Sequence, residues 1–409
     1  APMRVLLVNA YAKSGGASVA ARRLCAALAG AGADARLLVQ NAEGIEETSV
    51  RTTGDRWAAR RPLLDALPAL PWRHRRSPHW GNAWLGNVAT RNAIREFAPD
   101  VTHLHWVNHG MLSLRDVARL RGPVVWTLHD SWAFTGGCHS PQECRKFRER
   151  CGGCPELGSR RERDLSRWNW NRKRAAWKTA AFAVVAPSRW LADRARSSAL
   201  LAGRRIEVLP NAVDDATFRP MDRAAARREL GLPDNALVFL FAAHGAATDW
   251  NKGMDLWRAA LPAVAAKFPG AIAAVAGAPV GSLGGLPLPA RELGTLPPER
   301  LALALAAADA TVVPSRMENL PNVVAESLAC GTPVAAFAVG GIPEMIRPGE
   351  TGFLAKPHDA EELGRGIGEL LARGGAMRAT CAAFARAAYA PDSVARRHLE
   401  LYRSLLEPQ

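Results

Sequence analysis

The stretch between residues 310 and 344 constrains this chain more than any other. Residues 310–313 (Ala-Thr-Val-Val) form a short apolar run suited to a buried parallel strand, and residues 334–339 form a second. Between them, residues 322–330 mix apolar and polar side chains at a helical period, and Gly331 stands where a helix ends in a left-handed cap. Two parallel strands joined through a helix make a right-handed crossover. The loop after the first strand lies at the carboxyl edge, where open α/β sheets take their ligands. Glu318 falls in that loop. Asn319, Leu320, Pro321 and Asn322 lead into the helix, whose first amides and dipole favour an anion. Glu326 follows within the helix, a carboxylate able to accept both hydroxyls of a ribose. Taken singly, two glutamates at this spacing are ordinary: one caps a helix and the other decorates its surface.

Here they come with company. Pro314-Ser315, the Glu318 to Glu326 spacing, Ala329-Cys330-Gly331-Thr332-Pro333-Val334 and Gly340-Gly341-Ile342-Pro343-Glu344 together resemble the nucleotide-sugar site of retaining GT-B glycosyltransferases, family 4. Members usually carry Gly-Phe-Gly after the first Glu. This chain has Asn319-Leu320-Pro321-Asn322, as in a branch associated with bacterial exopolysaccharide and colanic-acid-type clusters. The resemblance covers nearly the whole chain. It implies two doubly wound α/β domains facing one cleft, with the nucleotide diphosphate sugar bound by the second.

The length of 409 residues suits two domains of roughly 200 residues each. We expect an acceptor-binding Rossmann-like domain over residues 1–215, rejoined by a C-terminal helix at 391–409, and a donor-binding domain over residues 216–390. The formal net charge of +15 calls for an anionic partner. No apolar run approaches the ~18 residues of a spanning helix. The first residues lack the charged, apolar and cleavage regions of a secretory signal, so the expected location is cytoplasmic, on the inner face of the plasma membrane.

The first half opens as strand, loop and helix. Residues 4–8 are the strand, residues 9–16 a polar loop, and Gly15-Gly16 let backbone approach a ligand at the helix start. A Gly-Gly turn is by itself an ordinary tight turn; in the resembled family this loop lies over the donor phosphates or the acceptor. Two stretches then mix Arg with Trp. One holds Arg56, Trp57, Arg60, Arg61, Trp72, Arg73, His74, Arg75, Arg76, Trp80 and Trp84. The other holds Arg161, Arg163, Arg167, Trp168, Trp170, Arg172, Lys173, Arg174 and Trp177. Indole beside guanidinium suits the headgroup level of an anionic bilayer. The plainer reading is a solvated basic face over core tryptophans. Nucleic acid is not an expected partner, because no recognised binding module is present.

The strand over residues 123–128 delivers His129-Asp130 to its carboxyl end. A histidine so placed is often a satisfied core residue. The run His129-Asp130-Ser131-Trp132-Ala133-Phe134-Thr135-Gly136-Gly137-Cys138 resembles the family's inter-domain His motif, which implies that His129 stands near the transferred sugar. In the second half, Lys252-Gly253 opens a helix where an ammonium can neutralise a diphosphate. The family pairs this Lys with an upstream Arg; His244-Gly245-Ala246-Ala247 offers none.

The expected activity is therefore retaining transfer of a sugar from a nucleotide diphosphate sugar to an acceptor hydroxyl, on a lipid-linked or other glycan in bacterial polysaccharide assembly. Lys252, Glu318 and His129 are the expected catalytic residues, and no paired-carboxylate motif calls for a catalytic metal. Two alternatives stay open: a sugar-nucleotide-binding scaffold in a synthase complex, and a GT-B sugar-nucleotide epimerase.

Four of the seven cysteines crowd together as Cys138, Cys144, Cys151 and Cys154, spaced Cys-x5-Cys-x6-Cys-x2-Cys. Zinc takes four thiolates tetrahedrally, and Cys151-Gly152-Gly153-Cys154 suits a metal knuckle. His139 is a substitute ligand. The rival readings are disulfides, which a reducing compartment disfavours, and unrelated buried thiols.

Overall fold

The computed structural model describes residues 1–72, 80–243, 245–246, 248–281 and 283–407. It divides into two compact units, Ala1–Ala212 with Asp392–Gln409, and Val213–Pro391. Arg73, His74, Arg75, Arg76, His244 and Ala247 lie outside the described residues.

The first unit is built on strands β1 (Arg4–Tyr11), β2 (Asp34–Asn41), β3 (Val50–Thr52), β4 (Val101–Leu104), β5 (Val124–Thr127), β6 (Ala183–Ala186) and β7 (Ile206–Val208). They form one sheet in the order β3-β2-β1-β4-β5-β6-β7, with every pair parallel. Alternation along β1 shows why the strand reads as continuously apolar. Leu6, Val8 and Ala10 enter one core layer, and Val5 and Leu7 enter another on the opposite face. Helix Gly16–Gly30 and helix Pro391–Leu406 cover the second of these layers through Leu24, Leu28, Val394, Leu399 and Tyr402. The C-terminal helix thus returns to the first sheet, and Tyr402 bonds to His103 on β4 at 2.6 Å. The first strand runs further than expected from residues 4–8. The Ala10 amide donates to the Trp106 carbonyl at 2.8 Å, so the ladder carries on through the polar Asn9.

The second unit holds β8 (Val238–Ala242), β9 (Ile272–Ala276), β10 (Ala290–Gly294), β11 (Ala310–Val313), β12 (Val334–Phe337) and β13 (Gly352–Ala355). Their order is β10-β9-β8-β11-β12-β13, again parallel throughout. The helix after β11 spans Asn322–Ala329, and Gly331 takes a φ of 82° in the turn that ends it. Beneath the sheet, buried Asp309 is held by Arg227 at 2.8 Å and by the Val238 amide at 2.8 Å. These partners satisfy a carboxylate that burial would otherwise make very costly.

Candidate functional site

In each sheet the strand order reverses once: between β1 and β4 in the first, and between β8 and β11 in the second. Ligands of open α/β sheets bind at the carboxyl edge of such a reversal. Gly15 and Gly16 follow β1, Lys252 and Glu318 follow β8 and β11, and His129 follows β5, one strand beyond the first reversal.

In the second unit, the loop after β8 ends in Lys252 and Gly253, ahead of helix Met254–Lys267. The loop after β11 carries Ser315, Arg316 and Glu318. Lys252 Nζ donates to Glu318 Oε1 at 2.8 Å. Attraction to Glu318 raises the Lys252 ammonium above its ordinary value, outweighing burial. The lysine therefore stays charged at neutral pH. Two glycines make this approach geometrically feasible. Gly253, at φ 71°, packs against the Pro314 carbonyl, and Gly340, at φ 59°, packs against the Glu318 backbone. The Gly341 amide donates to the Glu318 carbonyl at 3.1 Å. So the Gly340-Gly341 turn grips the peptide that aims Glu318.

Glu326 is 5% exposed, which excludes the reading of a surface acid. Pro321 precedes helix Asn322–Ala329 and supplies no side-chain cap, and the first turn contains no acid. That terminus therefore keeps the positive end of its dipole uncompensated by local carboxylate. Asn319 and Asn322 each have partners within the fold. Sequence reasoning missed Arg316. Its guanidinium donates to the Trp250 carbonyl at 2.7 Å, pairs with Asp255 at 2.5 Å and lies 4.3 Å over the Trp250 ring. It staples the two loops, while Asn251 Nδ2 donates to the Met317 carbonyl at 2.8 Å. The signal was its place between Ser315 and Glu318.

In the first unit, His129 sits just past β5, half-buried. Its Nε2 lies 2.9 Å from His105 Nδ1, and the two rings stack at 5.1 Å. His103 packs against His105 at 4.5 Å with the rings tilted by 31° and bonds to Thr127 at 2.7 Å, and His398 packs against His103 at 5.7 Å. Burial lowers His129 to about 4 against the opposing pull of Asp130, and lowers His398 to about 4 as well. The column is a set of neutral imidazoles, so His129 offers a hydrogen bond and not a charge. Asp130 stays below the usual carboxyl range: burial opposes its charge, but His139, at 2.6 Å, and the Trp132 amide, at 2.7 Å, outweigh it. His139 makes this bond through Nδ1. Gly15, at φ 85°, and Gly16 are exposed at the start of helix Gly16–Gly30. The loop before them is tied down by Glu43, which accepts from the Lys13 amide at 2.7 Å and the Ser14 amide at 2.8 Å.

The Arg/Trp stretches divide between surface and core. Trp57, Leu63, Leu64, Leu67, Leu70, Trp84 and Trp168 are exposed, Leu63 at 73%. Arg60 lies over Trp57 at 5.3 Å and Arg172 over Trp168 at 4.3 Å. By contrast Trp170 and Trp177 are core residues. Lys173, read as part of the basic face, is 0% exposed and donates to the Trp132 and Thr135 carbonyls over the Trp132 ring. Its position on helix Leu165–Thr179 turns it inward, on the face that also buries Trp170 and Trp177. Burial brings it down to about 7, with Cys138, Cys151 and Asp130 opposing.

All seven cysteines are free thiols. Cys138, Cys144, Cys151 and Cys154 line one small pocket with Thr135 and Phe147. Among the described residues, no group of three or more His, Cys, Asp or Glu side chains already stands at metal-holding spacing.

Two family models match the chain. "Glycosyltransferase Family 4" matches residues 14–217 and "Glycosyl transferases group 1" matches residues 237–373. A D-inositol 3-phosphate glycosyltransferase of Acidothermus cellulolyticus is 38% identical over 184 residues, 41% of this chain. The match spans about 40% of that protein's length. Sucrose-phosphate synthase from Thermosynechococcus elongatus has a similar fold, with a TM-score of 0.70 at 20% identity over 98% of this chain and 99% of that one. The Anabaena protein HepE, solved in complex with UDP-glucose, gives a TM-score of 0.66 at 19% identity over 98% of this chain and all of that one. Both likenesses describe the fold.

Proposed function

This chain belongs to the GT-B glycosyltransferases of group 1 and family 4, and from that premise we propose that it transfers a sugar from a nucleotide diphosphate sugar to an acceptor hydroxyl with retention of anomeric configuration. The observation that carries the proposal is the Lys252–Glu318 pair at the reversal of the second sheet, with buried Glu326 on the helix that follows. Glu326 accepts the two ribose hydroxyls. Lys252 and the amides leading into helix Asn322–Ala329 stabilise the departing diphosphate, where negative charge develops. Glu318 orients the sugar. The leaving phosphate takes the acceptor's proton on the same face, so retention needs no enzyme nucleophile. UDP-glucose, bound by the structural relative HepE, is the first donor to test.

Glu326→Ala is expected to weaken UDP binding by about 1.5–3 kcal/mol, the range for hydrogen bonds to a charged group. Titration calorimetry with UDP measures it. Unchanged affinity would remove Glu326 from the donor site. Product analysis with UDP-glucose then separates the activities: slow release of UDP and free sugar is expected of a transferase lacking its acceptor. An altered sugar still joined to UDP would identify an epimerase, and binding without turnover on a panel of donors and acceptors a scaffold.

The acceptor is proposed to be lipid-linked and presented at an anionic membrane surface on the cytoplasmic side. The exposed residues support this. Trp84 donates to the Leu64 carbonyl at 3.1 Å, and Arg172 donates to the Asn82 and Ala83 carbonyls at 2.9 and 3.1 Å while lying over Trp168. One connected face thus carries apolar side chains with Arg56 and Arg60 beside them. Each basic residue near an anionic surface contributes about 1 kcal/mol. Flotation with anionic liposomes is expected to recover the protein, and flotation with neutral ones to recover little. Leu63→Glu with Leu67→Glu should abolish recovery. Equal recovery on both lipids, or none on either, would leave a soluble acceptor. No helix among the described residues is long and apolar enough to cross a membrane.

A further inference from the structure

The four-cysteine pocket plays no part in the transfer chemistry, yet its walls are organised around sulfur. Cys138, Cys144, Cys151 and Cys154 come from separate turns of one irregular segment and line the same small pocket. The Thr135 hydroxyl donates to the Cys138 carbonyl at 2.6 Å, which fixes the turn that carries the first of them. The turn between the last two cysteines uses Gly152 at φ 147° and Gly153 at φ 52°. A side chain at Gly152 would run into the Glu162 carbonyl. Lys146, which lines the pocket, donates to the Gly152 and Gly153 carbonyls at 2.9 and 2.8 Å.

We propose that Cys138, Cys144, Cys151 and Cys154 bind one structural Zn2+ ion. In the thiol form these side chains are not yet at metal-holding spacing. Zinc takes sulfur at about 2.3 Å, and only as thiolate, so ligation releases the thiol protons and draws the four walls inward around the pocket they already share. The resulting anionic centre lies beside Lys146, which compensates part of its charge. The ion would fix residues 138–154 against the segment bearing His129. That segment is already joined to it where the Ser131 amide donates to the His139 carbonyl at 2.9 Å and His139 bonds to Asp130.

The test is elemental analysis of the full chain, purified without chelator and without a nickel column. About one zinc per chain is expected. Cys151→Ser and Cys154→Ser should each retain less than about a tenth of that zinc, while Cys330→Ser, at a buried thiol of the second unit, should retain all of it. Should the pocket variants fail to fold, thiol titration of the native wild-type protein still decides: blocking four thiols should release the bound zinc in parallel. Absence of zinc with four free thiols overturns the proposal. So does a mass showing disulfides among these cysteines, or zinc that Cys330→Ser loses equally.

Discussion

Alanine at Lys252 is expected to lower sugar transfer by about 10²–10³-fold, the usual loss when one donor to developing charge is removed from a preorganised site. The lysine stands at the start of helix Met254–Lys267, at the carboxyl edge of β8, and bonds to Glu318 across the reversal at 2.8 Å. Burial works against its charge, but Glu318 outweighs burial, so the ammonium persists at neutral pH without having to be created during the reaction. Cleavage of the sugar–phosphate bond places charge on the diphosphate, and a cation held in a partly dehydrated site acts on it more strongly than one in water. UDP, which resembles the leaving group, should lose affinity in Lys252→Ala, but by less than the loss in kcat. Lys252→Arg keeps the charge with a broader, planar head and should fall between alanine and wild type. The variant also strips Glu318 of its partner, so the effect must be separated from a repositioned carboxylate. A double-mutant cycle with Glu318→Gln does this. If Lys252 acts only by holding Glu318, its removal costs nothing further in the Gln background. A kcat within threefold of wild type in Lys252→Ala would end its assignment to the leaving group.

Much of the second unit was legible because its signals are local. A short apolar run bounded by loops located β11 at its observed limits, and Gly331 marked the end of the helix over Asn322–Ala329. Glu318 and Lys252 were readable one at a time; that they form a pair was not. The two residues lie far apart in the chain and meet only because β8 and β11 are neighbours in the sheet. Arg316 escaped notice for the same reason, since its partners Trp250 and Asp255 lie in the other loop. In the first unit the strand-end position of His129 was visible. The stacked histidines behind it were not, because His105, His103 and His398 reach it from β4 and from the far C-terminal helix. Lys173 shows the opposite error. Composition placed a lysine among arginines and tryptophans on a surface, whereas helical phase turned it into the core. Edge strands β3 and β10 carry too little apolar pattern to stand out, because their outer edges face no neighbouring strand.

Alanine at Gly340 should damage the donor site more than its distance from any reacting atom suggests. Gly340 sits at φ 59°, a conformation that costs an L-residue roughly 1–2 kcal/mol. More decisive is the space. An added Cβ would overlap the Glu318 carbonyl oxygen and lie 2.9 Å from the Glu318 carbonyl carbon. Those are backbone atoms, so no rotamer change relieves the contact, and overpacking of this kind costs about 1–3 kcal/mol more. The cheapest relief is separation of the Gly340-Gly341 turn from the Glu318 loop, which breaks the Gly341 to Glu318 hydrogen bond and moves Glu318 away from Lys252. Gly203→Ala is the control. It also has a positive φ, of 76°, but a Cβ there meets nothing within 4 Å. Its cost should be the backbone strain alone, roughly 1–2 kcal/mol. Chemical denaturation compares the stabilities and calorimetry with UDP compares the sites. Gly340→Ala is expected to lose on the order of 3 kcal/mol of stability and at least tenfold in UDP affinity. The same substitution at Gly203 should leave the second unit and its nucleotide affinity unchanged. Equal losses at the two positions would mean that φ alone matters, and that the grip on Glu318 does not hold the site in place.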